Sequence, residues 1–177
     1  AAVPAGSRVT PGYSSFTPQR DCGSADGFFN AILSDDVAKT LEAGTEQLSD
    51  GYALLAEFRL AAALAEKAQA AEAEQHYLSI AARDDIQQIY RDIALLLSVM
   101  QASQTTQVSA LQTRLDPLIS STSPLKGVAV EQAAALDVRL GNRAAAIEKL
   151  NELVALTDIP ASLRQRASQI LTVLDDS

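Results

Sequence analysis

Apolar positions from Phe28 onward recur three and four residues apart, which is the spacing of one face of an α-helix. Two stretches show this best, because a small residue is followed by large ones at i+4 and i+7: Ala73, Tyr77 and Ile80, and later Ala146, Leu150 and Leu153. No stretch alternates β-branched and polar residues for long, so strand signals are weak. The pattern predicts an all-α chain.

Turn and capping residues divide this region into eight predicted helices. Asp85 with Gln88 is typical of a capping box, Ser123-Pro124 of a helix start, Gly141 of a left-handed residue after a helix, and Asn142 of a helix cap. The predicted helices cover about Phe28–Leu48, Tyr52–Lys67, Ala70–Ala82, Asp85–Ala102, Gln107–Ile119, Pro124–Leu140, Arg143–Leu156 and Ala161–Leu174.

The helices repeat in pairs. Small residues recur 37 and 36 positions apart in the first helix of each pair (Ala61, Ser98, Ala134) and likewise in the second (Ala73, Ala110, Ala146). Tetratricopeptide (TPR) units have a similar period, about 34 residues, and need small residues where two helices cross. We therefore predict a tetratricopeptide-like right-handed superhelix of about three helical hairpins plus capping helices, with irregular α-helical hairpins as the alternative.

The three predicted hairpins differ in how well they fit this pattern. The third fits best and has Gly141 at its turn, whereas the first has Ala68 there. The second is degenerate, because Arg114 stands where a large apolar residue is usual and Leu111 or Leu115 must fill that space.

The N-terminal stretch differs from the rest and divides the chain in two. Residues 1–27 contain three prolines with several Gly and Ser and have no helical periodicity, which predicts an extended arm. Residues 28–177 form the predicted helical-repeat domain. The arm could lie on that domain or contact a partner.

Composition excludes several classes of function. The net charge of −8 makes nucleic acid an unfavourable partner. One Cys and one His cannot supply a four-ligand zinc site, and we expect no metal and no cofactor. Aromatics make up only 5% of the chain and Trp is absent, so the core must come from Ala and Leu on closely approaching helices.

Candidate catalytic residues all have a simpler structural explanation. A general base needs an oriented partner, so the lone His76 is better explained as a packing or surface residue. Cys22 could be a reactive thiol or pair between molecules, but an incidental Cys is the simpler interpretation. Asp35-Asp36, Asp84-Asp85 and Asp175-Asp176 lie at predicted helix ends, where carboxylates usually cap helices. We therefore expect no catalytic residues.

The concave face of the predicted stack is the expected binding surface, because the first helix of each hairpin lines it. It would hold a peptide or a partner helix, unless the terminal helices or the arm cover it. Arg164 and Arg166 on the last helix are expected to be solvated. The predicted partner-binding residues are Leu55, Phe58, Ala62 and Glu66 in the first hairpin, Asp92, Leu95 and Val99 in the second, and Val128, Glu131, Ala135 and Arg139 in the third.

Two segments carry a family resemblance. They are Gly51–Glu66 (GYALLAEFRLAAALAE) and Pro160–Leu171 (PASLRQRASQIL). Both resemble the alphaproteobacterial TPR-like proteins of the YfgM family, ancillary subunits of the SecYEG translocon, and the resemblance covers about residues 30–174. It implies an inner-membrane protein with one span and a periplasmic repeat domain that acts near protein translocation or envelope-protein folding, without catalytic residues.

The partners follow from this resemblance. They would be other proteins, namely translocon subunits, periplasmic chaperones or a larger membrane complex. Residues 1–25 do not read as a membrane helix, so contact with a membrane would need an anchor that this chain lacks. A soluble periplasmic or cytoplasmic location is the alternative. The alternative function is that of a structural or assembly subunit bound through the N-terminal arm.

Overall fold

The computed structural model describes residues 50–175, and within this range the chain folds into seven α-helices without a strand. The all-α prediction is thus confirmed for this part of the chain. The predicted arm over residues 1–27, the predicted helix over residues 28–48, and Cys22 lie outside the described residues. The helices are α1 (Asp50–Glu66), α2 (Ala70–Ala81), α3 (Gln88–Met100), α4 (Val108–Ser120), α5 (Lys126–Arg139), α6 (Arg143–Ala155) and α7 (Ala161–Asp175).

The side-chain caps that the sequence predicts for α3 and α6 are absent. The capping box is wrong: α3 begins at Gln88, and the Asp85 carboxylate instead accepts a hydrogen bond from Arg83 Nε at 2.9 Å. Asn142 directly precedes α6, but its side chain makes no capping hydrogen bond. In both cases the helix forms without the side-chain cap, because packing of its apolar face contributes more than the cap does.

The turns of the first and third hairpins share one backbone conformation. Gly141 has φ +76°, as predicted, and Ala68 has φ +61° at the equivalent place. The N–H of the following residue donates to the carbonyl five residues back, at 2.8 Å after Gly141 and 2.9 Å after Ala68. This is a Schellman motif, which requires a left-handed residue at its centre. Ala68 therefore adopts a conformation that glycine would adopt with less strain.

The second hairpin is less degenerate than its sequence indicates. Ala110 is exposed and Leu111 is fully buried, so aligning Ala110 with Ala73 is wrong by one residue. The cause is the connection before α4, which has seven residues where the corresponding connections have three. Leu115 fills the space, as expected, and Arg114 lies beside it. The buried positions of α2, α4 and α6 then align as Ala73, Tyr77 and Ile80; Leu111, Leu115 and Leu118; and Ala146, Leu150 and Leu153.

Among residues 50–175, the buried apolar residues form three clusters, and each joins one hairpin to the first helix of the next. The first cluster contains residues of α1, α2 and α3, the second of α3, α4 and α5, and the third of α5, α6 and α7. Helices α3 and α5 thus contribute to two clusters each. Ala61, Ser98 and Ala134 are at most 1% exposed, which explains why these positions hold small residues.

The contacts between helices are mainly sequential. Each helix packs against the next one along the chain, and α5 also contacts α7. Close packing needs Gly127 at the start of α5, because an added Cβ would lie 2.9 Å from Leu163 Cδ2 and 3.0 Å from Ile159 Cγ2. Stability in such an array is a sum of local terms between neighbours.

Candidate functional site

A cavity of about 510 Å³ lies between α5, α7 and the C-terminal end of α3. Its volume is within the range of sites that bind ligands or a few side chains. Three large apolar residues at its surface, Met100, Val138 and Ile170, remain 37–50% exposed. The lining residues are Met100, Val128, Glu131, Gln132, Ala134, Ala135, Val138, Leu150, Arg166 and Ile170.

Helix α5 forms most of the cavity wall. Its lining residues follow helical spacing and so form one stripe, of which Val128, Ala134, Ala135 and Val138 are the apolar members. The same helix contributes Ala133 to the second cluster and Val130 to the third. Because α5 is packed on both sides, its stripe is held on a rigid element.

One ion pair lies within this apolar surface. Arg166 Nε donates to Glu131 Oε1 at 2.9 Å and Arg166 Nη2 donates to Glu131 Oε2 at 2.8 Å. The hydrogen bonds to Glu131 and its charge raise the pKa of Arg166. The Glu131 side chain is 10% exposed and that of Arg166 is 53% exposed. Arg166 is thus solvated, as expected, and its guanidinium also joins α7 to α5.

The predicted site residues of the third hairpin lie mostly at this cavity. Val128, Glu131 and Ala135 line it, whereas Arg139 is exposed one turn further along α5 and does not.

The predicted site residues of the second hairpin are not part of the cavity lining. Asp92 is buried in a hydrogen-bonded network, Val99 is buried in the second cluster, and Leu95 packs against that cluster. Met100, the residue after Val99, lines the cavity instead.

The predicted site residues of the first hairpin also lie away from it. Leu55 and Glu66 are exposed and Ala62 is half-buried. Phe58 packs against the first cluster, with its ring centroid 6.3 Å from that of Tyr77.

Sequence reasoning missed seven lining residues: Met100, Gln132, Ala134, Val138, Leu150, Arg166 and Ile170. The sequence contained a sign that α7 lies on the same face as α5. Helix α7 begins 35 residues after α5, and Arg166 follows Glu131 by the same interval. Treating α7 as the first helix of a fourth repeat would have placed Arg166 and Ile170 on the concave face.

Four acidic side chains are buried among the described residues, and each binds a group in a different hairpin or in a connection between hairpins. They are Glu74, Asp92, Glu131 and Asp137. Apolar contacts between Ala and Leu surfaces are similar in several alignments of two helices. A buried carboxylate keeps its hydrogen-bond partners in one alignment only. We infer that these groups set the alignment of neighbouring hairpins.

Glu74 on α2 is the most completely bonded of the four. Its carboxylate accepts hydrogen bonds from Ser103 N at 2.9 Å, Thr106 Oγ1 at 2.8 Å and Arg114 Nη1 at 2.7 Å. Burial raises the pKa of Glu74, but the bonds from Ser103, Thr106 and Arg114 together lower it further, so the pKa lies below its usual value. The carboxylate therefore ties α2 to the α3–α4 connection and to α4.

Asp92 joins α3 to the α4–α5 connection. It accepts hydrogen bonds from Gln88 Nε2 and Ser123 Oγ, both at 2.6 Å. The Ser123 hydroxyl also accepts a long hydrogen bond from Leu125 N at 3.3 Å, but α5 begins at Lys126 with Leu125 as its N-cap residue and no side-chain cap, so the predicted helix start at Ser123-Pro124 is wrong. The Ser123 hydroxyl instead joins the α4–α5 connection to α3 through Asp92.

Asp137 joins α5 to both neighbouring helices. Its Oδ1 accepts from Gln112 Nε2 on α4 at 3.0 Å. Its Oδ2 makes no hydrogen bond of good geometry but lies 2.7 Å from Lys149 Nζ on α6. We interpret this second contact as an ion pair, since a lysine ammonium acts as a point charge with little directional demand.

No group of three or more His, Cys, Asp or Glu side chains in residues 50–175 could hold a metal ion. His76 is half-buried on α2 and lies outside the cavity lining.

Within the same range, no helix is long and apolar enough to span a membrane.

The chain was also compared with known proteins. No family model matches the sequence, and neither the curated proteins nor the solved structures give a match.

Proposed function

We propose that this protein is a non-catalytic protein-interaction module that binds a segment of a partner protein in the cavity between α3, α5 and α7. The observation that carries this proposal is the exposure of Met100, Val138 and Ile170 around one concave apolar site. Exposed apolar surface of this kind, with a few polar groups, marks binding sites in soluble domains.

The charged groups of the cavity are better suited to binding than to catalysis. Among the described lining residues, Glu131 and Arg166 are the titratable ones, and they neutralise each other in a bidentate pair. A general acid or base needs a free proton-transfer position near the reacting atom, and a carboxylate held on both oxygens by one guanidinium is poorly suited to that role.

The architecture that we propose is a tetratricopeptide-like right-handed superhelix. Three features support it: α1, α3 and α5 begin 38 residues apart, small buried residues lie at the helix crossings, and left-handed turns occur at Ala68 and Gly141. In such an array the first helices of the hairpins would line the concave face, and α3, α5 and α7 would be three of them.

The compartment and partners that we propose follow from the resemblance to ancillary subunits of the SecYEG translocon. The protein would act on the periplasmic side of the bacterial inner membrane, with translocon subunits or periplasmic chaperones as its partners. The support is the sequence of Gly51–Glu66 and of Pro160–Leu171.

Photocrosslinking in the native cell tests the proposal. A photoreactive residue at Val138 should crosslink to a discrete partner, because Val138 lines the cavity. Leu140 provides a matched control, since it is 48% exposed against 43% for Val138, lies two residues away and does not line the cavity. The crosslink should be lost when Met100→Lys is added.

The possible results separate the site from the compartment. Equal crosslinking from positions 138 and 140, or crosslinking that Met100→Lys leaves unchanged, would refute the cavity as the binding site. Recovery of cytosolic partners alone would refute the periplasmic role and leave the cavity standing.

A further inference from the structure

Arg166 uses only part of its hydrogen-bonding capacity on Glu131. The Nε and Nη2 atoms bind the two carboxylate oxygens, whereas Nη1 makes no hydrogen bond with any described residue. The side chain is 53% exposed and lines the cavity. A guanidinium carries five N–H donors, so one edge of this group remains available to a ligand.

The ion pair presents its positive member to the cavity. Glu131 is 10% exposed and held on both oxygens, so its charge is already compensated and mostly shielded from solvent. Arg166 is more than five times as exposed, and Arg139 extends the same stripe of α5 one turn further as a second exposed cation. This local charge is opposite to the net charge of −8 of the chain.

A carboxylate is the ligand group that fits this arrangement best. Hydrogen bonds between a guanidinium and a carboxylate are shorter and stronger than those between neutral groups. A ligand that covers the neighbouring Val128, Ala135, Val138 and Ile170 side chains would exclude water from this contact, which lowers the effective dielectric constant and strengthens the interaction. The apolar wall would meanwhile hold two or three aliphatic or aromatic side chains of the same ligand.

From this geometry we infer that the cavity selects a short acidic–apolar segment of another protein, in which one Asp or Glu carboxylate binds the free edge of Arg166. This inference rests on the proposed function and specifies the partner's chemistry. Replacing the ligand carboxylate by an amide should weaken binding roughly tenfold, since a hydrogen bond to a charged group is worth clearly more than one to a neutral group.

Three fluorescent peptide pools test this inference with the full chain. Each pool is an octapeptide mixture with Leu, Val, Phe or Ala at seven positions and a fixed Glu, Gln or Lys at the remaining one. Fluorescence anisotropy should give the lowest Kd for the Glu pool, a Kd about tenfold higher for the Gln pool, and the highest for the Lys pool. Equal Kd values for the three pools would overturn the inference.

A double variant identifies the residue responsible. Glu131→Gln with Arg166→Gln keeps two side chains that can hydrogen-bond to each other but removes both charges, so the Glu and Gln pools should differ by less than about twofold. Arg164→Gln is the control, because Arg164 is on the same helix but donates to the Leu156 and Thr157 carbonyls. A Glu preference that persists in the double variant would contradict the assignment to Arg166.

A third variant distinguishes failure of this inference from failure of the proposed function. Val138→Asn should weaken binding of all three pools, because it places an uncharged polar group in the apolar wall. If it weakens all pools but the pools do not differ in the wild type, the cavity binds protein segments without selecting a carboxylate. If it weakens none, both proposals are wrong.

Discussion

Removal of the Glu74 carboxylate provides a direct test of how the hairpins are held together. Glu74→Ala would leave Arg114, Ser103 N and Thr106 Oγ1 without their shared acceptor. The site is largely shielded from water, since the Glu74 side chain is 5% exposed and that of Arg114 is 19% exposed. The donors therefore cannot fully recover their hydrogen bonds from solvent.

The expected loss is large for one side chain. Removing one partner of a buried ion pair costs about 3–5 kcal/mol, and each hydrogen bond to a charged group contributes about 1.5–3 kcal/mol. We expect Glu74→Ala to lower the free energy of unfolding by about 4 kcal/mol. This is a large share of the 5–15 kcal/mol that is typical of a whole domain. Arg114→Met alone should cost about 3 kcal/mol, and a double-mutant cycle should give a coupling of about 2 kcal/mol.

Urea unfolding of the full chain at pH 7 measures these changes. Circular dichroism follows all helices, whereas tyrosine fluorescence includes Tyr77 in the first cluster. Disagreement between the two probes would show that the hairpins unfold separately. Glu72→Ala is the matched control: Glu72 lies on the same helix but is exposed, so its loss should change stability by less than about 0.5 kcal/mol.

One result would refute the reasoning. If Glu74→Ala costs less than about 1 kcal/mol with an unchanged denaturant slope, the carboxylate does not join α2 to α4 in solution. A coupling near zero between Glu74 and Arg114, with large single effects, would assign the stability to the Ser103 and Thr106 bonds instead.

Three further predictions follow from the turns, the packing and the titration of the molecule. Gly141→Ala should lower the stability by about 1 kcal/mol and Ala68→Gly should leave it unchanged or raise it by up to about 1 kcal/mol, because both positions have positive φ; thermal melts that shift in the same direction for both would contradict this. Gly127→Ala should cost about 1–3 kcal/mol in urea unfolding, because its Cβ would clash with Leu163 and Ile159, whereas the control Gly51→Ala has open space and should not destabilise. The pKa of Glu74 in the folded protein is lowered from 4.5, so its contribution to stability is present above pH 4.5 and is lost as the pH falls through the lower folded-state pKa. Between pH 7 and pH 3 the free energy of unfolding should therefore fall more steeply for the wild type than for Glu74→Gln. An equal pH dependence of the two proteins would exclude this role.

The sequence was sufficient to predict where the helices lie along the chain. Helix α2 begins where the pattern predicted and ends one residue earlier, and α7 begins at the predicted residue and ends one residue later. The left-handed conformation of Gly141 was predicted as well. These features depend on residues within a few positions of each other, so periodicity and turn chemistry are sufficient to predict them.

The alignment of the second hairpin with the other two could not be predicted from periodicity and turn residues. Helical periodicity allows α4 to be aligned with α2 at either Ala110 or Leu111, and only Ala110 is a small residue. The seven-residue connection before α4 shifts the helix by one position and buries Leu111. A repeat period read from small residues cannot detect such a shift, because the length of a connection changes packing without changing the pattern inside the helix.

The candidate site depended on the tertiary structure most of all. The sequence determined an amphipathic, Ala- and Leu-rich helical chain with short turns, and it placed Val128, Glu131 and Ala135 on one stripe of α5. Only the packing decided that α7 closes the cavity, that Arg166 meets Glu131 from 35 positions away, and that Asp92 turns inward to Ser123. A charged residue on a helix is equally compatible with solvent and with a distant partner, because local sequence does not contain the partner. Its role is fixed when the chain folds and the two groups come within hydrogen-bonding distance.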